Sequence, residues 1–198
     1  MDLQTFIFIG RSGCGKGTQA ILLREHFKKQ NPGADIFYLE TGAEFREFIN
    51  SKNYSSELSA RIYLSGDRQP DFLAIFIWSQ VLIKNLKGGE HLIIDGTPRS
   101  AHEAEILHTA LSFYERKNPV VIYLNISVEA AEERLRARKR IDDKDDKKND
   151  KRLNWFETDV SPAIDFLKNN PRYRFLEVDG ENSPEEIHEE IIKKSFTR

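Results

Sequence analysis

Five short runs of apolar and β-branched residues recur along this chain. Most of them are continuously apolar, as in parallel strands that are buried on both faces. Segments with helical periodicity separate the runs, so the pattern predicts an α/β fold: a doubly wound, five-stranded parallel sheet with helices on both faces. The five predicted strands are Thr5–Ile9, Asp35–Leu39, His91–Asp95, Val120–Asn125 and Tyr173–Val178.

Two of the intervening segments carry apolar residues at helical spacing. The first is predicted to be a helix over about Gly15–Gln30, with an apolar stripe that includes Leu23 and Phe27, and Pro32 follows its end. The second, Asp71–Leu86, is predicted to be a core helix. Its large apolar side chains are expected inside the protein: Phe72, Ile75, Phe76, Trp78 and Leu82.

Two regions interrupt the alternation of strands and helices. The residues between the second and third strands exceed what one crossover needs, and short helices around Gly42–Ile49 and Ser55–Leu64 are predicted to form a small excursion. The charge run Glu132–Arg152 is typical of a solvated helix face. However, it follows the fourth strand, at the sheet edge where ligands bind, which favours some arginines facing a ligand. We expect one domain, 1–198, with a core (1–39, 66–131 and 153–198), the excursion (40–65) and the charged segment (132–152).

Composition and charge restrict the class of protein. A chain of 198 residues with 39% hydrophobic and 31% charged residues suits one compact domain, and its net charge of −2 argues against a nucleic-acid partner. No apolar run reaches the length of a membrane span, so no membrane partner is expected. Cys14 is the only cysteine, which excludes an internal disulfide and a cysteine-based zinc site and fits a reducing, cytoplasmic location.

The first predicted strand runs into a glycine-rich loop and then a helix. The spacing Gly10-x4-Gly15-Lys16 fits a phosphate loop (P-loop), in which backbone N–H groups bind phosphate oxygens and a lysine neutralises the outer phosphates. The hydroxyl that usually follows the lysine is delayed by Gly17 and arrives at Thr18. The loop therefore predicts that the protein binds a nucleoside triphosphate.

A second motif follows the third predicted strand. Asp95 ends a buried strand and is followed by a tight turn and Arg99. A strand-end carboxylate beside a phosphate loop commonly holds Mg²⁺ through water, and Thr18 is a further possible ligand. The forked guanidinium of Arg99 suits a second phosphate group. An alternative interpretation is that Asp95 caps the helix that follows it.

Together these motifs resemble those of adenylate kinases and closely related nucleoside monophosphate kinases. The resemblance spans almost the whole chain, in order, through GRSGCGKGTQA (10–20), ETGAEFREFI (40–49), DGTPRSAHEAE (95–105), RIDD (140–143) and RL (152–153). It implies a core domain, a monophosphate-binding excursion at 40–65 and a short lid, without zinc, at 132–152. The activity it implies is reversible, Mg²⁺-dependent transfer of the ATP γ-phosphoryl group to AMP, giving two ADP, by an enzyme that is usually a monomer.

The resemblance also implies a role for each residue at a matching position. The expected ATP-binding residues are Gly13, Cys14, Gly15, Lys16, Gly17, Thr18, Arg134, Arg138 and Asn182. The expected AMP-binding residues are Thr41, Arg46, Asp67, Arg68, Gln69, Gly96, Thr97, Pro98, Arg99, Glu103, Arg140 and Arg152. The residues expected to act in catalysis are Lys16, Arg99, Arg138, Arg140 and Arg152. In the family, the bond that corresponds to Thr97-Pro98 is cis.

The sequence departs from the family at the acceptor base. Glu103 stands where the family has an adenine-reading glutamine, and Thr97 replaces the usual phenylalanine. An ionised glutamate only accepts hydrogen bonds, which suits the N1–H and N2–H₂ groups of guanine better than adenine. Glu103 could instead turn outward or bind adenine in its protonated form. AMP is favoured because the other positions follow the adenylate kinase pattern; GMP or a pyrimidine monophosphate is the alternative, and a non-catalytic nucleotide-binding regulator is a third hypothesis.

Overall fold

A computed structural model of the chain describes residues 3–137 and 146–196 and contains one sheet of five parallel strands in the order β2-β3-β1-β4-β5. Each predicted strand is confirmed to within a residue at each end. The strands are β1 (Thr5–Gly10), β2 (Ile36–Glu40), β3 (His91–Asp95), β4 (Val120–Asn125) and β5 (Arg174–Asp179). Among the described residues, no helix is long and apolar enough to cross a membrane.

Helices connect successive strands, as the periodicity predicted. Two short helices form the predicted excursion between β2 and the long helix that precedes β3. The helices are α1 (Lys16–Gln30), α2 (Thr41–Phe48), α3 (Tyr54–Ser65), α4 (Asp71–Asn85), α5 (Ala101–Phe113), α6 (Val128–Ala137), α7 (Asp146–Trp155), α8 (Ser161–Asn169) and α9 (Pro184–Phe196). A π-helical turn, Phe156–Val160, joins α7 to α8.

The central strand β1 shows why its sequence is apolar without interruption. All six of its residues are buried. Phe6 and Phe8 belong to a core cluster that includes residues of α1, α6 and α9, whereas Ile7 and Ile9 belong to a second cluster with residues of α4, α5 and α8. Successive side chains of a strand point to opposite faces, so these two clusters lie on the two faces of the sheet. The doubly wound α/β fold is therefore confirmed.

Helix α4 corrects one part of the prediction. Trp78 and Leu82 are buried as expected, but Phe72 is 72% exposed and Phe76 is 53% exposed. The buried residues of α4 are Leu73, Ala74, Ile77, Trp78 and Leu82, which lie along one stripe. Phe72 and Phe76 share the exposed face of α4 with the polar residues Gln80 and Lys84, which follow Phe76 at four-residue steps. The expectation that both phenylalanines lie in the core was therefore wrong.

The fold predicts that replacing isoleucine by alanine has different effects on stability at two positions that the sequence pattern does not distinguish. Ile94 is fully buried in β3, whereas Ile83 of α4 is 75% exposed. We expect Ile94→Ala to lower the free energy of unfolding by about 2–5 kcal/mol, because it removes buried methyl groups and leaves a cavity. The control Ile83→Ala should change it by less than about 0.5 kcal/mol. Urea unfolding of the two variants measures this difference, and equal losses would contradict the assigned packing.

Candidate active site

A cleft of about 670 Å³ opens at the carboxyl edge of the sheet, where β1 and β3 end side by side. It is lined by the glycine-rich loop, by α2, by the turn after α3, and by parts of α6, α7 and α9. Most of the residues singled out in the sequence line it: Gly13, Cys14, Gly15, Lys16, Gly17, Thr18, Arg46, Asp67, Gln69, Asp95, Gly96, Arg99, Arg134, Arg152 and Asn182. The predicted site residues Arg138 and Arg140 lie outside the described residues.

The glycine-rich loop is held against α6 by close backbone contact. Gly13 has a φ of +89°, and a Cβ added there would lie 2.8 Å from the carbonyl oxygen of Ala131. Lys16 begins α1, and its Nζ donates hydrogen bonds to the carbonyl oxygens of Gly10 (2.7 Å) and Arg11 (2.8 Å). The ammonium group therefore lies over the loop, next to the helix N-terminus that favours an anion. Cys14 is a fully buried free thiol that fills space beneath the loop.

Asp95 lies next to this loop and is largely buried. Its Oδ2 accepts a hydrogen bond of 3.2 Å from the hydroxyl of Tyr38, and burial raises the pKa of Asp95 while Lys16 lowers it. A Cβ at Gly17 would lie 3.4 Å from the same Oδ2, so the missing side chain at Gly17 lets the carboxylate approach the loop. The capping interpretation of Asp95 is wrong, because Ser100 caps α5 and accepts a hydrogen bond from the Glu103 N–H.

Two arginines converge on the other side of the cleft. A Cβ at Gly42 would lie 3.3 Å from Nη1 of Arg46 and 3.9 Å from Nη2 of Arg99. Arg46 also donates to Glu40 at 2.6 Å, and Nε of Arg99 donates to the carbonyl oxygen of Gly96 at 2.7 Å. Both guanidinium groups are thus oriented by hydrogen bonds and lie near a glycine surface that leaves space for a ligand. This arrangement suits an anion such as phosphate.

Glu103 points into the protein, so the interpretation in which it turns outward was wrong. Its side chain is 1% exposed, and Oε2 accepts a hydrogen bond of 2.5 Å from Oγ1 of Thr97. Its Oε1 has no hydrogen-bond partner among the described residues. Burial raises the pKa of Glu103, against the lowering effects of Thr97 and Arg99. The Thr97-Pro98 bond is cis, as the resemblance implied.

Arg68 lies near Glu103 but binds other carboxylates. Its Nε donates to Oδ1 of Asp159 at 3.0 Å and its Nη1 donates to Asp71, whereas the distance from Nη1 to Oε1 of Glu103 is 3.9 Å. The partner Asp159 belongs to the π-helical turn, 91 residues away in sequence. No local pattern in the sequence indicated this contact.

The neighbours of Arg68 have different surroundings. The side chain of Gln69 is buried and exchanges hydrogen bonds with Ser59, at 3.0 Å to its hydroxyl and 2.9 Å to its carbonyl oxygen. The side chain of Asp67 instead accepts a hydrogen bond of 2.9 Å from Lys151 of α7. The carbonyl oxygen of Gln69 also accepts a hydrogen bond of 3.4 Å from Nη1 of Arg68, so both the side chain and the backbone of Gln69 are held in place.

At the opposite end of the cleft, Arg134 is fixed between two elements. Its guanidinium donates to the carbonyl oxygens of Gly180 (2.7 Å) and Glu181 (3.2 Å), in the loop between β5 and α9. Asn182 lies in the same loop and lines the cleft. Arg152 of α7 also lines the cleft, and its guanidinium lies 6.0 Å from the centre of the Tyr63 ring.

Sequence reasoning missed several residues that position the site. Besides Tyr38, Glu40 and Asp159, these include Arg11, which forms an ion pair with Glu157 and lies 4.2 Å from the centre of the Phe156 ring. Arg11 belongs to the glycine-rich loop, and both of its partners belong to the π-helical turn. The unusual arginine inside a glycine-rich loop was the available signal, but its partner is 146 residues away.

The fold and the cleft define the class: a P-loop nucleotide-binding α/β protein, with a lysine and a strand-end aspartate beside the loop. The sequence model of the family described as "Adenylate kinase" matches residues 8–172, and the chain belongs to that family. It is similar to "Adenylate kinase 1" of Nostoc sp., at 30% identity over 93% of this chain and 95% of that protein. It is also similar to "Adenylate kinase" of Flavobacterium psychrophilum, at 29% identity over 91% and 92% of the two chains. The protein is therefore a nucleoside monophosphate kinase.

The loop geometry predicts unequal effects of an added methyl group at two glycines. Both Gly13 and Gly15 have positive φ values, but a Cβ at Gly15 meets nothing within 4 Å, whereas one at Gly13 meets the backbone of Ala131. We expect Gly15→Ala to cost about 1–2 kcal/mol of folding free energy from backbone strain alone. Gly13→Ala should cost about 1–3 kcal/mol more, because the loop and α6 must separate. Urea unfolding without nucleotide compares the two, and similar losses would contradict the packing described.

Proposed function

We propose that the protein is an adenylate kinase that transfers the γ-phosphoryl group of Mg²⁺-bound ATP to AMP, reversibly, giving two ADP. The observation that carries the proposal is the pairing, in one cleft, of the phosphate loop with the two converging arginines, Arg46 and Arg99. Phosphoryl transfer needs two phosphate chains in line and their charge neutralised, with little covalent help from the protein. Two separate cationic sites in one cleft meet that need.

On the donor side, the backbone from Gly13 to Thr18 would bind the ATP phosphates, with Lys16 on the outer ones. Arg134, fixed by its two carbonyl partners, would offer a flat face to the ATP base, and Asn182 would contact that base through its backbone. Asp95 and Thr18 would hold Mg²⁺, largely through water. One buried carboxylate and a hydroxyl beside phosphate oxygens form the oxygen-rich donor set that Mg²⁺ prefers. When bound, the ion would neutralise phosphate charge.

On the acceptor side, Arg46 and Arg99 would bind the phosphate of the monophosphate. The segment Asp67–Gln69 and Gly96–Pro98 would contact its sugar and base, together with Thr41 and Glu103. Arg152, which lines the cleft, would lie between the two phosphate chains. Arg138 and Arg140 carry the same proposed role on the strength of the resemblance.

The division of the chain follows the same proposal. Residues 40–65 would carry the monophosphate and residues 132–152 would form the lid that excludes water, because water would otherwise hydrolyse ATP. The protein would act as a monomer in the cytoplasm. Its single thiol, buried beneath the loop, is compatible with a reducing compartment.

The alternative acceptor is GMP or a pyrimidine monophosphate, and the observation that favours it is the glutamate at the acceptor-base position. A comparison of monophosphates tests this directly. We expect AMP to give the highest kcat/KM among AMP, GMP, CMP and UMP at neutral pH, with ATP and Mg²⁺ held constant and ADP measured. If GMP, CMP or UMP gave a higher kcat/KM than AMP at every pH, the proposal would be wrong, and the best acceptor would identify the substrate.

A second prediction separates a kinase from a regulator that only binds nucleotides. We expect Lys16→Ala to lower kcat for ADP formation by at least about 100-fold, because it removes a charge next to the transferred group. The fold should be retained, as judged by circular dichroism. Lys84→Ala removes the same charge from the exposed face of α4 and serves as the control. Unchanged turnover in Lys16→Ala would contradict the role given to Lys16.

A further inference from the structure

In the recess on the Arg99 side of the cleft, two buried oxygen atoms have no hydrogen-bond partner among the described residues. They are Oε1 of Glu103 and Oγ1 of Thr41. Both residues line one small recess, which shares Gly96 and Arg99 with the main cleft. A buried polar atom without a partner costs about 1–3 kcal/mol, so such atoms normally have one. Their position next to the acceptor side of the cleft indicates that the missing partners come from a ligand.

Arg68 does not supply the partner that Glu103 lacks. It is committed to Asp71 and Asp159, and it stays 3.9 Å from Oε1 of Glu103, beyond hydrogen-bond distance. Two carboxylates thus already exceed the single positive charge of Arg68. A third carboxylate in ionised form would add further negative charge beside them in a buried place, which is unfavourable.

The charged groups that face Glu103 come from several elements. Arg99, after β3, and Arg68, before α4, favour the ionised carboxylate, and Asp71 at the start of α4 favours the neutral acid. Asp159 of the π-helical turn acts through Arg68. A bound monophosphate would place further negative charge beside Arg99, which would reduce the support that Arg99 gives to an ionised Glu103. Ligand binding therefore shifts the protonation equilibrium of Glu103 further toward the neutral acid.

We propose that Glu103 reads adenine as a neutral carboxyl group. The hydroxyl formed at Oε1 donates to ring N1, and Oε2, which already accepts from Thr97, accepts one hydrogen of the 6-amino group. This pair of hydrogen bonds repeats what an amide side chain would make, one donor beside one acceptor. The inference rests on the proposed function, because it assumes that an adenine nucleotide is the acceptor.

The protonation state of Glu103 then decides which base its hydrogen-bonding groups match. The ionised carboxylate has two acceptors and suits guanine, whose N1–H and N2–H₂ are both donors, whereas it faces the lone pair of adenine N1. Buried mismatches of this kind discriminate by up to about 10⁴–10⁵. Burial raises the pKa of Glu103, which shifts its protonation equilibrium toward the neutral form. Base selection should therefore depend on pH.

The first test measures how many protons the protein takes up when AMP binds. AMP is titrated into the protein by calorimetry at pH 8, in buffers of different ionisation enthalpy, for the wild type and for Glu103→Gln. The phosphate of AMP contributes equally in both proteins, so the difference isolates residue 103. We expect the wild type to take up more protons than Glu103→Gln, approaching one additional proton per AMP where Glu103 is ionised before binding.

The second test is the pH dependence of catalysis. A group that must be protonated to bind loses its contribution as pH rises through its pKa. We expect the wild-type kcat/KM for AMP to fall relative to that of Glu103→Gln, by up to tenfold per pH unit above that pKa. The ratio of GMP to AMP efficiency should rise with pH in the wild type and stay flat in the variant.

A third test changes the surroundings of Arg68 without altering a group that contacts the base. Asp159→Asn frees Arg68 from one carboxylate, so the arginine can compensate Glu103 and lower its pKa. The decline in kcat/KM for AMP should then begin at lower pH than in the wild type. Asp165→Asn removes the same charge from an exposed position on α8 and should leave the profile unchanged.

The outcomes separate this inference from the proposed function. Equal proton uptake and parallel pH profiles for the wild type and Glu103→Gln, with AMP still the best acceptor, would overturn the inference alone. GMP or a pyrimidine monophosphate exceeding AMP at every pH would overturn the proposed function instead. If Glu103→Gln did not fold, an unshifted profile in Asp159→Asn would still overturn the inference.

Discussion

The enclosure of strand β1 is the constraint on which the rest of the structure depends. Strand β1 has a neighbouring strand on each side and a core cluster on each face. Its carboxyl end is therefore the point at which this part of the chain leaves the core and can contact a ligand. The glycine-rich loop begins at that end, and β3 delivers Asp95 beside it through its parallel register with β1. The excursion that begins with α2 follows the end of β2, on the same edge. Parallel strands thus gather residues that are far apart in sequence at one edge of the sheet.

Several cations around this edge are already oriented by hydrogen bonds within the protein. Lys16 donates to loop carbonyls, Arg46 to Glu40, and Arg134 to the loop after β5. Such contacts position the groups before a nucleotide arrives, which reduces the ordering that binding and transfer require. Phosphate oxygens can then replace or supplement these contacts, because charge-assisted hydrogen bonds to phosphate are stronger than those to neutral carbonyls.

The π-helical turn Phe156–Val160 joins the two sides of this arrangement. Glu157 pairs with Arg11 of the glycine-rich loop, and Asp159 pairs with Arg68 beside the recess that Thr41 and Glu103 line. One short segment therefore contacts residues on both sides of the cleft. Single-turn π-helical segments recur at functional sites, where they redirect side chains that a regular α-helix would place elsewhere. Here the redirected side chains are carboxylates that hold two arginines in place.

The sequence by itself determined the five strands, the glycine-rich loop, the motif from Asp95 to Arg99 and the family, because apolar runs, glycine spacing and motif order are properties of the sequence that need no tertiary contacts. It also identified Glu103 as the departure that matters. The tertiary structure showed that Phe72 and Phe76 face outward, on the side of α4 that also carries Gln80 and Lys84. It alone decided that Glu103 points inward, with Oε1 unpartnered among the residues that the structure describes, and that Arg68 binds Asp71 and Asp159 instead. These outcomes depend on contacts between residues tens of positions apart, and burial, rather than sequence spacing, governs their charge state.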